Sequence, residues 1–138
     1  MGDTWHELLY HIVWATKYRE PTITPAIERH LHALMVLQAA SLGCYTYACN
    51  GVDDHVHMAL NIPPQLSVSH VVGQIKGASA HQINNDERRE NRKTLRWQRG
   101  FGASTFARKD LPWVINYINN QKVHHKRDSA DKSLEQCD

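Results

Sequence analysis

"CYTYACNGVDDHVHMALNI", Cys44 to Ile62, is the stretch on which the fold turns. "CYTYACNGV" and "HVHMALNI" read as two strands joined by "NGVDD", with Asn50-Gly51 or Asp53-Asp54 near the apex of a hairpin turn. Side chains two residues apart on a strand share a face. His55 and His57 therefore project together, while Val56 and Met58 point the other way, into a core. Two imidazoles on one strand are half of a metal site. Taken alone, they are also what an exposed sheet face carries.

Upstream, "TWHELLYHIVWATKYR" predicts a long first strand from Thr4 to Tyr18. Pro21 and Pro25 break it. Thr24 suits an N-cap and Pro25 the first helical position. Ile27, Leu31, Leu34, Met35 and Leu42 then recur at helical spacing, and Gly43 is the stop. Downstream of the hairpin, Ser67 caps a second helix with Val68, Val71, Val72, Ile75 and Ile83 as its apolar stripe. Gly73 and Gly77 weaken that helix and predict close packing against a neighbour. "DERRENRKT" reads as a polar loop and "LRWQRGFGASTFAR" as a bent strand or hairpin. Asp110 caps a final helix, "LPWVINYINNQKVHHK", whose buried face is Trp113, Val114 and Ile118. The polar residues 127–138 are expected to form a flexible tail.

The order β-α-β-β-α-β with a terminal helix predicts an α+β, ferredoxin-like antiparallel sheet with helices on one face. A chain of 138 residues with 41% apolar side chains suits a single domain over 1–138 with one packed core. No apolar run approaches the ~20 residues that span a bilayer, so no membrane partner is expected. The N-terminus lacks the pattern of a secretory signal, and His6 stands where a myristoylation motif wants Ser or Thr. A cytoplasmic location is the expectation. Cys44 and Cys49 would point to opposite faces of a regular strand, against a shared zinc site. Residues 1–69 carry three basic and six acidic side chains, and residues 70–138 carry thirteen and eight. The basic excess centres on "RRENRKTLRWQR", where Trp97 interleaves with cations that can meet phosphates.

The last helix sharpens the reading. Tyr117 and Gln121 stand at i and i+4, on one helical face, with His124 and His125 a turn further. A Tyr hydroxyl can attack a phosphodiester and form a covalent phosphotyrosine. A divalent ion held by two histidines and a side-chain oxygen can stabilise the charge on the phosphate oxygens.

"DDHVHM", followed downstream by "WQRGFGAS" and "YINNQKVHH", resembles the single-tyrosine HUH transposases of small insertion sequences and their REP-associated relatives. The similarity runs from "YHIVWATKYR" to "YINNQ". It implies an enzyme that cuts and rejoins single-stranded DNA near hairpin ends through a 5′-phosphotyrosine intermediate, on the nucleoid when bound. It implies Tyr117 as the catalytic nucleophile, His55 and His57 as metal ligands with Gln121 as the third, and Mg2+ or Mn2+ as the ion. Asp54 is read as shaping the turn, with a role behind a histidine as the lesser alternative, and His124 and His125 as exposed histidines without a metal role. Lys76, Arg88, Arg89, Arg92, Lys93, Arg96 and Arg99 are expected DNA contacts as a group.

A homodimer is also expected, the tyrosine helix of one chain completing the site of the other. The first strand, as an unprotected sheet edge, would be the pairing surface. Three alternatives stand beside this reading. One is a domesticated REP-associated endonuclease. Another is a non-catalytic ferredoxin-like nucleic-acid-binding module using Tyr45, Tyr47 and Trp97. The last is a small zinc hydrolase.

Overall fold

The computed structural model describes residues 4–86, 94–126 and 130–137. Its elements are β1 (Leu9–Ala15), α1 (Pro25–Ser41), β2 (Tyr45–Gly51), β3 (His55–Asn61), α2 (Val68–Asn84), β4 (Gly102–Thr105), α3 (Leu111–Asn119), α4 (Gln121–Lys126) and α5 (Lys132–Glu135), with short 3-10 turns before α1 and α3. The four strands are antiparallel in the order β2-β3-β1-β4. This is the ferredoxin-like arrangement.

The two faces of the sheet have different covers. Ile12 and Trp14 of β1, with Val56, Met58 and Leu60 of β3, pack against Leu31 and Met35 of α1 and Val71, Val72 and Ile75 of α2. On the other face, Val114 and Ile118 of α3 lie on Ala48 and Ala59, an alanine pair facing each other across β2 and β3. Small side chains there let the helix sit close to the backbone. β3 is therefore buried along both faces, from His55 to Leu60.

Local signals act as the sequence predicts at α1. Thr24 takes the extended N-cap position without a side-chain cap bond, and Pro25 opens the helix. At its end Gly43 turns to φ +86°, the Gly43 amide donates to Ala40 O at 3.0 Å, and the Cys44 amide donates to Ala39 O at 2.9 Å. That pair of bonds is a Schellman motif. A Cβ on Gly43 would approach nothing closer than Pro63 Cγ at 3.7 Å, so backbone conformation rather than space selects glycine. Ser67 caps α2 by accepting from the His70 amide at 3.1 Å.

Several expectations are corrected. The first strand is Leu9–Ala15, shorter than Thr4–Tyr18, and it is a central strand between β3 and β4. It has no open edge, so the pairing surface assigned to it does not exist. Gly73 and Gly77 face open space: a Cβ on either would meet nothing within 4 Å. Cys44 and Cys49 both pack against the core formed with α1 and α2, because a bulge between Thr46 and Ala48 shifts the register of β2. The final helix is interrupted at Asn120, giving α3 and α4, and Asp110 is the last residue of a 3-10 turn and makes no side-chain cap. Trp113 is 54% exposed and outside the buried face. The stretch expected to fray includes α5, and Cys137 is buried against Val13 and Ala15.

The glycines give a paired test. Gly43→Ala should cost about 1–2 kcal/mol, because an L side chain is strained at positive φ. Gly73→Ala and Gly77→Ala should each stabilise by about 0.5–1 kcal/mol, removing backbone entropy at no steric cost. Urea midpoints read both signs, and destabilisation by either helix substitution would refute the open surface.

Candidate active site

The antiparallel register sets Val13 opposite His57, Ala15 opposite His55 and His11 opposite Ala59. His11, Val13 and Ala15 of β1 thus share the α3 face of the sheet with His55 and His57. His11 Nε2 and His57 Nδ1 are 2.7 Å apart, and Asp54 Oδ1 is 2.7 Å from His55 Nδ1. Each metal-ligand candidate therefore has its Nδ1 occupied and turns its Nε2 inward. Asp54 does hold a histidine, which the sequence reading ranked below its turn role.

α3 and α4 bring the other groups. Leu111, Val114, Tyr117 and Ile118 form the buried stripe of α3. The Asn50 amide donates to Ile118 O at 3.0 Å and Asn119 O at 3.2 Å, satisfying carbonyls at the helix end. Lys122 Nζ reaches Glu28 Oε1, Asn50 Oδ1 and Gly51 O, tying α4 to α1 and to the hairpin. Tyr117 lies between Trp113 and His124, with ring centroids 5.5 Å and 4.6 Å away and planes near parallel. Its ring is 6.2 Å from that of His57 in the same chain.

The centre of the cluster is Glu135, which the sequence reading did not single out. Its Oε1 lies 2.9 Å from His55 Nε2, 3.0 Å from His57 Nε2 and 3.0 Å from His125 Nε2. Its Oε2 accepts from Tyr117 Oη at 2.5 Å and from Gln121 Nε2 at 3.3 Å. Gln121 Oε1 is 3.1 Å from His125 Nε2. The Asp131 amide donates to Tyr117 Oη at 2.7 Å. His125, read as exposed and uninvolved, is exposed at the residue level, but its Nε2 is part of the cluster.

Burial and these partners set the charges. Burial first, then the nearby His57, lowers the pKa of His11 to about 4, so this ring is neutral near pH 7. Burial also lowers His57. For His55 burial works against the charged form, but Asp54 and Glu135 outweigh it and raise the pKa to about 9. Burial likewise opposes the Glu135 carboxylate, yet the donors on His55 and His57 hold it well below the usual carboxylate range. Burial and the Glu135 carboxylate together push the Tyr117 phenol up, holding it protonated.

The donor set suits a divalent cation. Nitrogens of His55, His57 and His125 and a Glu135 oxygen lie within 4.8 Å of one another. His55 Nε2 is buried 2.9 Å from Glu135 Oε1 but makes no aligned hydrogen bond with it. With its pKa raised, that nitrogen carries a proton near pH 7, and a binding cation would displace it and take up the inward lone pair.

The expected DNA contacts divide. Arg88, Arg89, Arg92 and Lys93 fall outside the described residues. Arg96 and Arg99 are exposed. Lys76 is committed elsewhere: its Nζ donates to Gln98 O at 2.7 Å and Gly100 O at 3.0 Å, stitching α2 to the segment just before β4. Trp97 packs edge-on to Trp14, while Tyr47 packs on the α3 side, so Tyr45, Tyr47 and Trp97 do not make one stacking surface. Among the described residues no helix is long and apolar enough to cross a membrane.

Known proteins share this plan. Residues 4–121 match the family model described as "Transposase IS200 like". The IS200 insertion-sequence transposases of Salmonella typhimurium and Salmonella typhi are each 30% identical over 120 residues, covering 85% of this chain and 78% of theirs. The ISDra2 transposase TnpA of Deinococcus radiodurans is 31% identical over 78 residues, 56% of each chain. A crystal structure of a Deinococcus radiodurans protein described as a transposase superposes with a TM-score of 0.67 at 26% identity, covering 88% of this chain and 96% of that one. A REP-associated tyrosine transposase bound to a REP hairpin shares the fold, with a TM-score of 0.66 at 16% identity over 91% of this chain and 74% of that one. With the family match spanning the first strand, the histidine strand and the helix up to Gln121, the chain belongs to the IS200-like transposase family.

Proposed function

We propose that the chain is a transposase that cleaves and rejoins single-stranded DNA near hairpin ends, with Tyr117 as nucleophile. One observation carries this reading: a carboxylate already sits between the phenol and the histidines. Glu135 turns one oxygen to the three imidazoles and the other to Tyr117 Oη. A phosphodiester has two non-bridging oxygens of similar separation and the same charge sign. The seat that holds this anion is one a scissile phosphate can take.

In the step proposed, Tyr117 Oη forms a bond to phosphorus and the bond from phosphorus to the 3′ oxygen breaks. The phenol gives up a proton and the leaving oxygen gains one, so a 3′ hydroxyl and a 5′-phosphotyrosine result with no net proton change. Attack by a 3′ hydroxyl on the phosphotyrosine reverses this and rejoins DNA. Mg2+ or Mn2+ held by His55, His57 and Gln121 would supply positive charge against the charge that builds on the phosphate oxygens. The stacking of Trp113 and His124 on the tyrosine ring fixes the direction of Oη. Asp54 and His11 hold the two imidazoles by their Nδ1 atoms. The hairpin substrate is supported by the fold neighbour described with a REP hairpin. The site of action in this reading is the cytoplasmic nucleoid. A homodimer belongs to it as an assembly, with exposed Trp113 and Val123 as apolar surface for a second copy. One chain nevertheless brings Tyr117 to its own histidines.

Tyr117→Phe keeps the stacked ring and removes the attacking oxygen. It should leave hairpin binding within about 3-fold of the parent, because binding rests on basic contacts. It should abolish the DNA adduct that survives denaturing gels, and persistence of that adduct would transfer the role to another residue.

His55→Ala and His57→Ala should each stop cleavage while sparing hairpin binding. Asp54→Ala should weaken metal affinity by about 10–100-fold, the usual cost of losing the group behind a histidine ligand. Calorimetry with Mn2+ measures the latter. Cleavage undiminished in excess chelator would exclude a catalytic ion.

Sedimentation of the unliganded chain at working concentration should show a dimer, and a monomer there would remove the assembly without touching the chemistry.

A further inference from the structure

We propose that the resting chain holds its ion with four side chains, His55, His57, His125 and Glu135, and that Glu135 surrenders its place to the substrate phosphate. The proposal rests on the metal site of the preceding section: it keeps His55 and His57 and, in the resting chain, puts His125 and Glu135 where that reading has Gln121.

The first support is geometric. An ion bound by nitrogen and oxygen at about 2.0–2.2 Å in a four-coordinate shell separates its ligand atoms by roughly 3.3 Å. Glu135 Oε1 is 2.9–3.0 Å from three Nε2 atoms at once. A carboxylate oxygen has no way to align well with three rings together, and His55 Nε2 is left without a proper hydrogen bond. A cation at the centre of the cluster resolves the conflict, since each ligand then needs only to point inward. Gln121 stands beside this set, with its oxygen turned to His125 and its nitrogen to Glu135.

The second support is how Glu135 reaches the cluster. Asp131 caps α5 by accepting from the Ser133 amide at 3.0 Å, and its own amide donates to Tyr117 Oη. Beyond α5, Gln136 O lies where a Cβ on Gly102 would be, only 1.9 Å from that position, so β4 must carry glycine there for the segment to lie down. Cys137 is buried against Val13 and Ala15, and Arg19 Nη2 donates to its Sγ at 3.4 Å. The segment is seated by specific contacts on both sides of Glu135. It also leaves a cavity of about 280 Å³ against β1 and β4, lined among others by His11, Ser104, Leu134 and Gln136. An imperfectly filled seat costs less to vacate than a packed one.

Together these describe a closed site. Four protein ligands leave a four-coordinate ion no open position, which is the character of a structural rather than a catalytic centre. Tyr117 Oη meanwhile donates to Glu135 and accepts from Asp131. A phosphate that displaces the Glu135 carboxylate would take the ion's fourth position and release the phenol in one event. Three imidazoles and one carboxylate in a four-coordinate shell also favour Zn2+ over Mg2+ and Mn2+, which prefer six ligands rich in oxygen and water.

The test is metal binding to the full chain, without DNA. Mn2+ and Zn2+ are titrated by calorimetry into the parent, His57→Ala, Glu135→Gln and Gly102→Ala chains. Visible spectra are recorded with Co2+, whose absorption is stronger in four-coordinate than in six-coordinate sites. The parent should bind one ion, His57→Ala should lose it, and Glu135→Gln should bind at least about 10-fold more weakly, with a weaker Co2+ band. Gly102→Ala, which forces the segment off without altering a ligand, should reproduce the Glu135→Gln values. Hairpin cleavage by Glu135→Gln with saturating Mn2+ should rise several-fold. If the parent binds no ion, the metal site itself fails. If it binds one through His57 but Glu135→Gln and Gly102→Ala bind equally well with the parent Co2+ spectrum, the four-ligand resting site alone is overturned. Lower cleavage by Glu135→Gln at saturating Mn2+ would overturn the displacement.

Discussion

The pairing that sets Val13 opposite His57 is the constraint on which the molecule rests. Side chains alternate along a strand, so a slip of one residue would move every side chain to the wrong face. In the observed register, Ile12, Trp14, Val56, Met58 and Leu60 go to the helical core, and His11, His55 and His57 go to the opposite side together. The apolar residues fix the register by their burial. The histidines are carried along with it, and their geometry follows from a decision taken on the other face of the sheet.

Burial of polar groups is costly unless they find partners. Here the partners are one another. His11 meets His57, Asp54 meets His55, and Glu135 meets three imidazoles, a phenol and an amide. Alanines at 48 and 59 let α3 come near enough to cover this cluster, and the segment after Ala130 closes the remaining side. The cluster is thus both a polar inclusion in the fold and the set of groups on which the proposed chemistry would depend.

The sequence made much of this legible, for definable reasons. Alternation exposes the shared face of His55 and His57, and helical spacing brings Tyr117 near Gln121 even though the helix is broken between them. His11 carries a weaker signal, a lone histidine in an apolar strand, and only the register with β3 gives it meaning. Glu135 carries none: its contact with His57 spans 78 residues in sequence, and the short stretch "KSLEQ" around it has no periodic pattern that singles it out. Strand order explains the misplaced edge, because a first strand can be peripheral or central and composition does not distinguish them. The bulge in β2 reversed the parity that separated Cys44 from Cys49, and the two glycines of α2 were read as contacts where the helix faces open space.

The ties made by Asn50 and Lys122 bear on the timing of motion. To swing outward, α3 and α4 must give up two amide bonds from Asn50, three contacts of one ammonium and the burial of Val114 and Ile118. The segment around α5 gives up a smaller apolar contact, a sulfur hydrogen bond and the polar contacts of Glu135, which an incoming phosphate would replace. Local opening follows the contacts that must break. The backbone amides of α3 therefore belong to the slow class of hydrogen exchange and those around α5 to the fast class, so Tyr117 is the stationary partner and its cover the one that fluctuates.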